Sequence, residues 1–101
     1  MIKIRPKTKE EQRQEAKQLK DKKLNNNTYA LSDGSVYQVR PEDLPNFQLA
    51  IAQGKDTDWI LADNSVRTTT VDELKEILDA GIAQGKAIYD EYIDKLKSIG
   101  A

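Results

Sequence analysis

Ser32, Ser35, Ser65 and Ser98 are the only serine nucleophile candidates, and the chain contains neither His nor Cys. Without His there is no imidazole to activate a hydroxyl, and the commonest transition-metal ligand is missing. No Ser-Lys arrangement is legible. Carboxylates could supply an acid and a base, and Asp58 with Asp63 would form such a dyad if the two shared a cleft. Local structure accounts for most carboxylates more simply. Asp33 and Asp63 sit in turn sequences beside three of the serines, and Asp72-Glu73 marks a helix start. Asp56-Thr57-Asp58 lacks the glycine and the distal glutamate of a calcium loop. These residues point away from catalysis, metal and cofactor, and toward a protein that acts by binding.

The elements that would position a binding surface begin with a basic arm. Residues 1–24 hold nine Lys/Arg against four Asp/Glu, a net +5, whereas the remainder holds seven against 13, a net −6. The overall charge is only −1, so no global field steers the chain toward nucleic acid or membrane. At 101 residues and 38% hydrophobic the chain is one domain with a modest core. Absence of Cys leaves the redox compartment open. No apolar run follows Met1-Ile2-Lys3-Ile4, and nothing reaches membrane-spanning length, so the expectation is an intracellular protein without a signal peptide.

Lys7 to Leu24 reads as a helix opened by a capping box, Thr8 with Glu11. Its apolar residues, Ala16, Leu19 and Leu24, are too few for a buried stripe, so it is either solvated and partly frayed or docked on a partner. Asn25-Asn26-Asn27 breaks it as a linker. A repeat follows. Tyr29-Ala30-Leu31-Ser32-Asp33-Gly34-Ser35-Val36 aligns with Trp59-Ile60-Leu61-Ala62-Asp63-Asn64-Ser65-Val66, and Ile51-Ala52-Gln53-Gly54-Lys55 recurs as Ile82-Ala83-Gln84-Gly85-Lys86. The period is near 30 residues and suggests an internal duplication.

Asp33-Gly34 and Asp63-Asn64 signal two-residue type I′ turns, which would set Leu31 opposite Val36 and Leu61 opposite Val66. Tyr29 and Trp59 then share the core faces of Leu31 and Leu61. A helix follows each hairpin. The first enters through Pro41-Glu42-Asp43, carries Leu44, Phe47 and Ile51 on one side, and stops at Gly54. The second, capped by Thr70 with Glu73, runs to about Ser98. Its stripe is Val71, Leu74, Leu78, Ile82, Tyr89, Tyr92, Leu96 and Ile99, flanked by Ile77, Ile88 and Ile93. The predicted fold is thus α+β: an N-terminal polar helix, then two ββα units, the last helix long. Residues 1–27 form the arm and linker, and 28–101 the duplicated domain, with units at about 28–57 and 58–101.

Eight turns of stripe exceed what two small hairpins cover, so Ile88, Tyr89, Tyr92, Leu96 and Ile99 are candidate partner contacts. Gly81 and Gly85 each cost about 1 kcal/mol against Ala inside a helix. They imply a close approach, either within the chain or between copies. Trp59, the only Trp, is a core residue or an interface anchor. Ile2 and Ile4 alternate with basic residues and could add as an edge strand to a partner sheet. The arm could alternatively touch phosphate in a small nucleic-acid-binding regulator. Against that, it has no interleaved aromatics, and acids such as Glu10 and Asp21 neutralise Arg13 and Lys17.

The Trp59–Val66 run, the threonines Thr68–Thr70, Asp72-Glu73-Leu74 and a long helix ending Leu96-Lys97-Ser98-Ile99 resemble a known family. It is the domain of unknown function found in tailed-phage tail-fibre and tail-fibre-assembly proteins. The likeness covers about residues 29–99, and Arg67 stands where that pattern would carry an apolar strand residue. The resemblance implies a phage or prophage origin and a tail-fibre or baseplate partner. The role would be that of a virion component or an assembly chaperone, located in the virion tail or in the host cytoplasm during assembly. Because tail fibres are commonly trimeric, it also implies a homotrimer as one arrangement. It carries over no catalytic residue, cofactor or membrane contact.

Overall fold

A computed structural model describes residues 6–100. It has the expected α+β order: α1 (Lys9–Asn25), β1 (Thr28–Ala30), β2 (Val36–Gln38), α2 (Leu44–Gln53), β3 (Thr57–Ile60), β4 (Val66–Thr69) and α3 (Val71–Gly100). The strands form two separate antiparallel hairpins, β1–β2 and β3–β4. Both capping boxes are present. Glu11 N–H donates to Thr8 Oγ1 at 3.1 Å and Glu73 N–H to Thr70 Oγ1 at 3.2 Å, each reciprocated by the glutamate side chain. Gly54 ends α2 in the left-handed region, φ 72°.

The hairpin register differs from the expected one by a residue. Ala30 pairs with Val36 and Ile60 with Val66, so Leu31 faces Ser35 and Leu61 faces Ser65. Each loop has three residues, closed by Gly34 N–H to Leu31 O and by Asn64 N–H to Leu61 O, both 2.9 Å. Only the last loop residue is left-handed, Gly34 at φ 88° and Asn64 at φ 68°. That is a type I turn followed by a bulge, not a type I′ turn, which needs positive φ at both central residues. Asp33 and Asp63 close the turns by accepting the Ser35 and Ser65 N–H groups at 2.9 and 3.0 Å. The slip turns Val36 and Val66 to solvent and sends Tyr37 fully inside.

The core lies between the hairpins, α2 and the first half of α3. Tyr37, Phe47, Leu74 and Ile77 are fully buried at its centre, with Leu31, Val39, Ala50 and Leu61 around them. Burial of an aliphatic side chain such as Leu74 or Ile77 contributes roughly 1.5–3 kcal/mol. The buried ridge of α3 is therefore Leu74, Ile77 and Gly81, while Ile82, assigned to the inner stripe by periodicity, is exposed. Trp59 stacks on Phe47, with ring centroids 4.3 Å apart and planes 19° apart.

Beyond this head, α3 continues as one arm of a stalk, and α1 supplies the other. The two run antiparallel: Lys23 near the end of α1 pairs with Glu91 at 2.7 Å, and Arg13 near its start lies against Gly100. Ala16 and Leu24 are buried in the seam. α1 is therefore docked within the chain, not frayed in solvent. Its few apolar residues suffice because Lys20 lays its stem across the aromatics of α3, its ammonium 5.5 and 5.0 Å from the Tyr89 and Tyr92 ring centroids. The head and stalk together extend 62 × 29 × 20 Å, with a radius of gyration of 18.0 Å against about 13 Å for a compact chain of this length.

Candidate functional site

Besides the buried ridge of α3, one polar side chain ties the start of that helix to both hairpins. Arg67 lies on β4 opposite Trp59, on the inward face of the second hairpin. An unpaired arginine there would be costly, and it is not unpaired. Its guanidinium grips both Glu73 oxygens, Nη1 to Oε1 at 3.0 Å and Nη2 to Oε2 at 2.9 Å, and donates through Nε to Asp33 at 3.0 Å. Nη1 also donates to Tyr37 OH at 3.1 Å. The tyrosine hydroxyl lies 2.7 Å from Thr69 Oγ1, which donates back to the Arg67 carbonyl.

One cation thus joins the turn of the first hairpin, the strand of the second and the N-terminal cap of α3. These bonds hold the Glu73 carboxyl down at about 2, chiefly through Arg67 and next through the Thr70 N–H. They also raise the guanidinium further above its ordinary range. Asp33 is lowered as well, first by the Ser35 N–H and its hydroxyl and then by Arg67.

The carboxylates considered for chemistry are tied to local structure. Asp58 accepts the Thr68 hydroxyl at 2.7 Å, and Asp63 accepts both the N–H and the hydroxyl of Ser65. Ser65 contributes most to lowering Asp63. Among the described residues no group of three or more Asp or Glu could hold a metal ion, and no helix is long and apolar enough to cross a membrane.

The candidate partner residues separate into three environments. Gly81 faces inward: a Cβ there would lie 2.8 Å from Val39 Cβ and 3.0 Å from Leu44 Cδ2. Its close approach is to this chain's own side chains. Trp59 is half-buried against the core. Ile88, Tyr92, Leu96 and Ile99 are half-buried along the stalk, and Gly85 has open space beyond its Cα. Tyr89 is 47% exposed. Ile2 and Ile4 lie outside the described residues.

Two surfaces result. On one flank of the α1–α3 seam, Ile82, Tyr89 and Ile93 form an exposed apolar line at seven- and four-residue spacing along α3. On the other flank a groove of about 840 Å³ opens between the helices, floored by Ala16, Leu19, Ile88, Tyr92 and Ile99 and rimmed by charge of both signs. Ile82, Ile93 and Leu19 were missed as surface candidates, since periodicity on α3 gives a wide apolar arc without saying which part α1 covers. Elsewhere, an exposed apolar pair, Ile60 and Val66, crosses the outer face of the second hairpin.

Residues 7–101 match the family described as Domain of unknown function (DUF4376), and the chain belongs to that family. No curated protein and no solved structure matches it.

Proposed function

We propose that this DUF4376 member is a protein-binding module of a tailed-phage tail, docking on a fibre or baseplate protein as a virion component or an assembly chaperone. The observation that carries the binding reading is the line Ile82, Tyr89 and Ile93, apolar residues held in solvent on a helix too long for its own core. Exposed apolar surface arranged along one helix face is the form taken by helix-in-groove recognition. The resemblance of the Trp59–Val66 run and the following Thr-capped helix to tail-fibre-associated domains supports the tail as the setting. The Arg67 knot supports the same reading from the other direction, since it fixes the start of α3 to both hairpins and so aims the stalk.

Co-expression with tailed-phage fibre and baseplate proteins, one at a time, tests this. In one such pair the two proteins should co-elute on size exclusion, and Ile93→Glu should separate them without loss of helicity. Separate elution of the wild-type proteins would overturn the reading.

A further inference from the structure

The groove on the opposite flank has two properties that point to a specific occupant. Its floor is apolar and only partly covered, with Leu19 51% exposed beside Ile88 and Tyr92. Its rim carries Lys20 and Lys23, already paired with Asp21 and Glu91, and the consecutive Asp94 and Lys95 of α3, neither of which makes an ion pair with another described residue. Adjacent opposite charges beside an apolar floor form a self-complementary patch. Under a two-fold axis the acid of one copy meets the base of the other, twice.

We propose that this groove is closed by the same groove of a second copy, the two stalks packing as a four-helix bundle. The helical architecture allows it, because a two-helix layer leaves both broad sides without a covering helix, and a second layer covers the side that holds the groove. α1, with 17 residues, is about 25 Å long, and two helices spaced at about 10 Å give a layer roughly 20 Å wide. The footprint is about 500 Å² per copy, or about 1,000 Å² in all, near the lower bound of specific interfaces. The dimer is therefore weak and concentration-dependent. The exposed line Ile82, Tyr89 and Ile93 lies outside the groove, so dimer formation does not rest on the fibre-docking proposal.

Sedimentation equilibrium of the full chain over a wide concentration range reads the result. The wild type should follow a monomer–dimer equilibrium. Leu19→Glu should weaken it by about tenfold or more, and Ile82→Ser should leave it unchanged. Asp94→Lys alone and Lys95→Glu alone should each weaken it several-fold, and the double variant Asp94→Lys with Lys95→Glu should restore it. Only a reciprocal contact is repaired by exchanging the two charges. The charge variants sit at exposed positions, so they carry the test even where circular dichroism shows that Leu19→Glu disturbs the helices. A chain monomeric at every concentration, a trimer, or a dimer whose strength ignores both Leu19→Glu and the charge exchange would each overturn the proposal.

Discussion

The Arg67 guanidinium and the Glu73 carboxylate meet fork to fork, with two parallel bonds of 3.0 and 2.9 Å, at the point where the second hairpin hands over to the long helix. Glu73 is also the third residue of α3 and closes its capping box with Thr70, so one carboxylate both starts the helix and anchors it. Arg67→Met should lower the urea midpoint, by less than the loss of a fully buried pair would because both side chains keep some solvent. Arg67→Lys should recover little of this, because a point charge cannot reproduce the fork. A cost near zero for Arg67→Met would show that the knot is ornamental.

Stability should fall in acid for the same reason. The Glu73 carboxyl is held near 2 in the folded chain against an ordinary value of 4.5. A group depressed on folding adds stability that is complete above its unfolded value and is lost as pH falls through the folded one. The window is therefore from about 4.5 down to about 2, and the lowered Asp33 and Asp63 act in the same direction. Urea midpoints measured through this range should drop for the wild type and drop less steeply for Arg67→Met.

The two glycines of α3 should respond oppositely to alanine. Gly81→Ala puts a Cβ 2.8 Å from Val39 Cβ, a branch point that cannot swing aside, and should destabilise by about 1–3 kcal/mol. Gly85→Ala meets nothing within 4 Å and should stabilise by up to about 1 kcal/mol through helix propensity. Thermal denaturation of both variants checks the pair.

The second hairpin turn holds Asn64 at φ 68°, where a residue with a Cβ is strained. Asn64→Gly should be neutral or slightly stabilising, and Asn64→Val should cost about 1–2 kcal/mol. Equal stability of the two variants would contradict the three-residue loop.

Local signals were legible where their chemistry is local. Thr8 with Glu11, Thr70 with Glu73 and Gly54 each declare a helix end through bonds made within one turn, and all three stand where their sequence places them. Hairpin register was not legible. Asp-Gly and Asp-Asn suit both a type I′ turn and a type I turn with a bulge, and the choice lies in the sign of φ at the aspartate. Arg67 looked misplaced for an inward strand position because its partners come from 34 residues upstream and six downstream. The docking of α1 was hidden too, since one lysine, Lys20, and not an apolar stripe, completes its contact with Tyr89 and Tyr92.

The proposed partner is met by the stalk, not by the outer face of the hairpins. A photo-crosslinking amino acid at position 93 or at position 66 separates the two, since Ile93 and Val66 are both exposed and lie on different surfaces. With the fibre or baseplate protein that co-elutes with the chain present, position 93 should form the crosslinked adduct and position 66 should not. An adduct from position 66 with none from position 93 would contradict the account.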